Sequence, residues 1–122
     1  MLRIIQWFTI FYVILLTLLL ELPSSISEEV PVEMAGVYAY VHAIAFFLLG
    51  LLVELSREKR SIFFWLGILI VYAIATEVLQ GLLHAICNRF FDWTDVLQNV
   101  IGVLTGTFIG HFCRPLVRRT TG

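Results

Sequence analysis

The sequence predicts an all-α protein, a four-helix transmembrane bundle with both termini cytoplasmic. Three observations lead there. First, of its 122 residues 60% are hydrophobic and 14% charged, against about half and about a quarter in soluble domains. Second, the apolar residues fall into four runs, about 4–20, 37–55, 62–86 and 93–112, each close to the roughly 20 residues needed to span a bilayer core. Third, the bases are asymmetric. Arg3, Arg57, Lys59, Arg60, Arg114, Arg118 and Arg119 lie on one side of these runs, and only Arg89 lies on the other. Loops rich in Lys and Arg stay in the cytoplasm.

Each element follows from its own residues. Lipid offers the backbone no hydrogen-bond partner, so a spanning run is a helix or part of a closed barrel, and none of these runs alternates as barrel strands do. The first, Ile4 to Leu20, carries no charge. It exceeds the roughly 7–15 residues of a signal-peptide core and no A-x-A-like site follows, so a retained span is expected. The loop after it holds Glu21, Glu28, Glu29 and Glu33 and no base, as an outer loop would. The second run contains His42 and Glu54, the third Glu77. Glu54 with Arg57, Glu58, Lys59 and Arg60 reads as a topology-determining, solvated turn on the inner side. No linker or low-complexity tract divides the chain, so residues 1–122 read as one unit. The net charge of −1 points to no nucleic-acid partner. Cys87 and Cys113 fall near opposite surfaces, too far apart for a bridge, which needs Cα atoms within about 7 Å.

The fourth run opens with polar residues, in "FDWTDVLQNVIGVLTG". At about 100° per residue, Asp92, Asp95, Asn99, Gly102, Gly106 and Gly110 share one arc of roughly 80°. The two overlapping G-x-x-x-G steps let another backbone approach closely, so the stripe faces protein, and its polar half faces protein or an enclosed cavity. Asp92 also suits a helix cap and Asp95 the positive helix end. Asn99, two turns in, fits an interhelical hydrogen bond.

The third run repeats the spacing. Glu77, Gln80 and His84 in "ATEVLQGLLHAICNR" lie on one helical face. Glu77 falls near the bilayer middle, where a charged side chain costs roughly 2.5–3.5 kcal/mol on insertion scales and almost always faces a partner or a wet cavity. Either it locks helices in register or it serves a site. His84 reads as interfacial. His42, entering from the outside on the second run, lies at a similar level, as a hydrogen-bonded structural histidine or a site member. His42, Glu77, Gln80, Asn99, Arg89, Asp92 and Asp95 are therefore expected to form a polar pocket open to the outer face, with Gly102, Gly106 and Gly110 as its close-packed floor.

These residues resemble the VanZ-like family of small bacterial membrane proteins. The likeness lies in His42, in "EVLQG" with Glu77 and Gln80, and in "RFFDWTDVLQNVIGVLTG" with Arg89, Asp92, Asp95, Asn99, Gly102 and Gly106; "LPSS" after the first run is similar as well. The chain departs from relatives that carry an Asp-Lys pair shortly before the histidine: Tyr38 and Ala39 stand there. The resemblance implies a multi-pass protein of the bacterial plasma membrane. The family's founding member is associated with resistance to the lipid-tailed glycopeptide teicoplanin, and no enzymatic activity is securely attached to the family.

Three functions fit. The pocket could bind the head group of an amphiphile: a membrane lipid, a lipid-linked cell-wall precursor or a lipoglycopeptide antibiotic. It could be the site of an intramembrane enzyme on a lipid head group, with His42, Glu77 or Asp95 as catalytic groups, Arg89 holding phosphate, and a divalent cation at Asp92 and Asp95. It could be a proton or ion path with Glu77 as carrier. Binding is the expectation adopted, because no nucleophile-and-base signature or dense metal-ligand motif is present; no resident cofactor or metal is expected.

Overall fold

A computed structural model of the chain describes residues 2–20, 35–58, 61–82 and 93–121. Among these every regular element is a helix: α1 (Leu2–Leu20), α2 (Ala35–Ser56), α3 (Ile62–Leu82) and α4 (Trp93–Thr121). The helices follow the apolar runs. Arg57 and Glu58 follow directly on α2, and Ser61 Oγ accepts from the Phe64 amide at 3.2 Å at the start of α3, as an N-cap does. α4 runs on through Pro115 to Thr121, beyond the apolar stretch and into its basic tail.

Three helices are long and apolar enough to cross a membrane, over Leu2–Leu19, Ile62–Leu79 and Trp93–Arg119; the described part of α2 adds the shorter apolar stretch Tyr40–Ser56. Their outward faces are greasy. Trp7, Phe8, Phe11, Leu18, Phe63, Val71, Phe108 and Phe112 are all more than half exposed, the inverse of a water-soluble surface and suited to acyl chains.

The interior is organised around α2 and α4. They run parallel, since contacts rise together in number: His42 with Asn99, Gly50 with Val103 and Thr107, Glu54 with Gly110. α4 packs more extensively on α2 than on any other helix. Glycine makes this approach possible. A Cβ on Gly102 would run into the Ala43 carbonyl oxygen, one on Gly106 into that of Phe47, and one on Gly50 would stand 2.6 Å from the Val103 oxygen. The stripe on α4 thus faces protein as its spacing predicts, and Gly50 answers it from α2. Lower down, Gly110 leaves room for the Glu54 stem, whose Cβ would be 3.0 Å from an added Cβ.

α1 and α3 flank this pair. α1 runs antiparallel to α2, tied by Tyr12 Oη donating to the Ala45 carbonyl at 2.6 Å and Gln6 Nε2 donating to the Ser56 carbonyl at 3.2 Å. The Thr17 and Tyr72 hydroxyls, 2.7 Å apart, join α1 to α3. Leu16, Phe46, Leu49, Val53, Leu69, Ala73 and Val103 form the buried apolar core between them. Because α2 and α4 touch directly, the arrangement is a glycine-mediated central pair with two flanking helices, unlike a square four-helix bundle in which alternate helices stand on the diagonal.

Candidate functional site

Four polar side chains meet near the end of the molecule where α2 and α4 begin and α3 ends. Asp95 is on the first turn of α4, and Asn99 follows one turn later on the same face. His42 lies about 10 Å along α2 from Ala35, at 1.5 Å per residue. Glu77 lies on α3, five residues before its last described residue, Leu82. Three helices must therefore fold together before these groups become neighbours.

The geometry is close. His42 Nδ1 stands 3.2 Å from Asn99 Oδ1 and 4.0 Å from Glu77 Oε1. An amide oxygen only accepts, so in this arrangement Nδ1 carries the proton and donates to Asn99. One ligating atom from each of His42, Glu77 and Asp95 lies within 4.8 Å of the others. Glu77 and Asn99 are completely buried, while His42 and Asp95 are partly exposed. The cluster thus reaches from a sealed interior toward a more open edge. Asn99 Nδ2 has no hydrogen-bond partner among the described residues. Just below, Gly102 backs against Ala43 and Phe47, so close helix contact closes the cluster on that side.

Of the residues expected in the pocket, His42, Glu77, Asp95 and Asn99 are brought together. Gln80 lies on α3, but its side chain, with all of Arg89, Asp92, His84 and Cys87, falls outside the described residues. Gly102, Gly106 and Gly110 pack as helix-contact residues. Cys113 is a free thiol.

One expectation is corrected. Glu54 is not part of a solvated turn: it is 1% exposed and anchors a second polar cluster at the opposite end of α2. Arg57 reaches back one turn and holds it with two bonds, Nη2 to Oε1 at 2.6 Å and Nε to Oε2 at 2.8 Å. His111 Nδ1 approaches Oε1 at 3.3 Å from α4. Arg114 Nη2 and Arg118 Nη2 donate to the Arg57 carbonyl at 2.7 and 2.5 Å, and Gln6 Nε2 donates to Glu58 Oε1 at 3.0 Å. The hydrogen bond to Glu54, with that carboxylate's charge and against the effect of burial, raises the Arg57 guanidinium above its ordinary value, so it stays charged. The i,i+3 spacing of Glu54 and Arg57 is the sequence signal for this pair. His111, off the glycine stripe, carried none.

The model of the VanZ/LLP1 family matches residues 6–114, a range that takes in α2 and α3 whole and most of α1 and α4. No curated protein and no solved structure matches the chain.

Proposed function

The chain belongs to the VanZ/LLP1 family, and we propose that it is a bacterial cell-envelope protein of the plasma membrane that binds an amphiphile by its polar head. The head group would be a lipid's, a lipid-linked wall precursor's or a lipoglycopeptide's, and binding the last would contribute to teicoplanin-type resistance. With both termini in the cytoplasm, as the basic residues direct, the pocket opens outward.

One observation carries this reading: His42, Glu77, Asp95 and Asn99 converge from three helices, with Glu77 and Asn99 fully buried. Polar groups sunk among apolar helices are costly and are kept mainly where they serve a pathway or a site. The set offers carboxylates for hydroxyl or ammonium groups and an amide for either donors or acceptors. An apolar groove of about 570 Å³ between α3 and α4, lined by Leu66, Leu104 and Phe108 among others, begins roughly 14 Å along α4 from Asp95, at 1.5 Å per residue, and suits the tail of an amphiphile whose head sits in the pocket.

The test uses purified full-length protein and radiolabelled envelope lipids in nanodiscs. Stoichiometric retention is expected, with Glu77→Gln and Asp95→Asn each lowering it at least tenfold while the fold persists. Retention unchanged in both variants would leave the cluster a structural device. Release of a cleaved or transferred product would establish the second reading, an enzyme in which His42, hydrogen-bonded to Asn99 and 4.0 Å from Glu77, serves as the acid–base group.

A further inference from the structure

We propose that the His42–Glu77–Asp95 cluster binds one divalent first-row transition-metal ion, with the Asn99 amide oxygen as fourth ligand. The inference deepens the reading above, since it names the inorganic partner of the same pocket and rests on that pocket being a ligand site.

Donor chemistry comes first. One imidazole nitrogen, two carboxylates and an amide oxygen form a mixed N/O set of the kind that Mn²⁺, Fe²⁺ and Zn²⁺ take. There is no thiolate in it to favour softer ions. The ligands come from three helices whose relative positions are set elsewhere, by the glycine contacts of α2 with α4 and the core around Phe46 and Leu69. A site held this way is partly organised before an ion arrives.

Geometry is the second support. Ligand atoms about 2.1 Å from an ion stand roughly 3–4.2 Å from one another. Here the histidine and asparagine atoms are 3.2 Å apart, the histidine and glutamate atoms 4.0 Å, and the three ionisable ligands fall within 4.8 Å. The pairs at 3.2 and 4.0 Å already fall in that range, and the wider limit of 4.8 Å exceeds it by about half an ångström, a shift within reach of side-chain adjustment.

Charge is the third. Two carboxylates, one of them on a fully buried glutamate, share a small volume, and a dication balances both. The Asn99 amide is the independent indication of a ligand. It is fully buried, directs its oxygen at the histidine nitrogen that would hold the ion, and has an Nδ2 with no partner among the described residues. With the ion absent, Nδ1–H donates to Oδ1. On loading, the imidazole changes tautomer, its proton passing from Nδ1 to Nε2, so that the Nδ1 lone pair and Oδ1 both turn to the metal, while Nδ2 remains to donate to a water or head-group oxygen. Protons compete with the ion for the imidazole and the carboxylates, so affinity falls on acidification. The partly exposed His42 and Asp95 leave an open coordination position facing the edge of the pocket.

The experiment uses the full-length chain in nanodiscs, stripped with a chelator. Mn²⁺ is titrated while the electron paramagnetic resonance signal of the free ion is followed, and Zn²⁺ by equilibrium dialysis with elemental analysis. Expected are one ion per chain, at least tenfold weaker binding at pH 5.5 than at pH 7.5, and at least tenfold weaker binding in His42→Ala and Glu77→Gln. His111→Ala, which removes a histidine at the other end, leaves binding unchanged. Should a variant fail to fold, the wild-type chain decides alone: an upward shift of its melting temperature with Mn²⁺ or Zn²⁺, but not with Mg²⁺ at equal concentration, supports the site. No ion above the empty-nanodisc blank, or one retained by both variants, overturns it. Lipid retention by metal-stripped protein separates the two readings: retention in a chain that takes up no ion sinks the metal and leaves the amphiphile.

Discussion

Glu77 and Glu54 are both carboxylates buried among apolar helices, yet their neighbours give them different work. Glu54 is clamped by two of the three nitrogens of a forked guanidinium, which uses up its two oxygens in a structural pair. Removing one member of a buried pair strands the other charge and costs about 3–5 kcal/mol. Glu54→Ala is therefore expected to destabilise the protein by roughly 3 kcal/mol, read as a lower denaturant midpoint in detergent, and to leave lipid retention by the folded fraction unchanged. Glu77 faces a histidine at 4.0 Å and sits with Asp95 and Asn99. Glu77→Gln keeps shape and polarity and removes the charge, so its melting temperature should stay within a few degrees of wild type while head-group and ion binding fall at least tenfold. A large loss of stability without loss of binding would reverse these assignments. Both glutamates were visible as charges within apolar runs, but which was a structural clamp was not, because that depends on His111 and Arg114 arriving from 57 residues away.

At the scale of the helix, the central pair stands on small residues. Lipid tails are as apolar as leucine, so helix association draws on close packing more than on hydrophobic exclusion. Gly106→Ala drives a methyl into the Phe47 carbonyl, a backbone atom that cannot turn aside. The expected result is separation of α2 and α4, seen as a fall of several degrees in melting temperature and weaker ligand binding, because Asn99 and His42 ride on those two helices. Gly67→Ala on α3 is the contrast. Nothing lies within 4 Å of its added Cβ, and alanine is a better helix former than glycine by about 1 kcal/mol, so stability should hold or rise. Equal loss from both substitutions would mean that helix propensity, not packing, sets the effect. The 100° spacing made the α4 stripe legible in the sequence. Gly50, with no glycine three or four residues away on α2, has no periodic signature, and its role becomes apparent only from the Val103 carbonyl beside it.

For the molecule as a whole, the distribution of basic residues makes a prediction about orientation. Reporter fusions at the N-terminus and after Thr121 should both be active in the cytoplasm. Cysteines placed at Ser56 and Trp93 should label from opposite faces of spheroplasts, since α2 ends where the basic cluster lies and α4 begins near the pocket. Labelling from a single face would remove the outward opening on which the functional reading depends. The grouping of polar residues at the two ends, with an apolar middle of Phe46, Leu49 and Val103, separates a candidate site from a structural clamp within one short chain.

What the sequence determined unaided was every property written within one segment: four apolar runs long enough to be helices, the polar-then-glycine stripe of α4, the carboxylate of Glu77 within an apolar run, and the residues that resemble the family. Only the tertiary structure decided who meets whom: that α4 lies parallel against α2, that His42 reaches Asn99 and Glu77, and that Glu54 is sealed beneath Arg57 and His111. The physical reason is that periodicity and hydropathy follow from the geometry of a single helix, whereas the pairing of helices in an apolar solvent depends on the fit of distant surfaces, and no local pattern states which glycine will find which carbonyl.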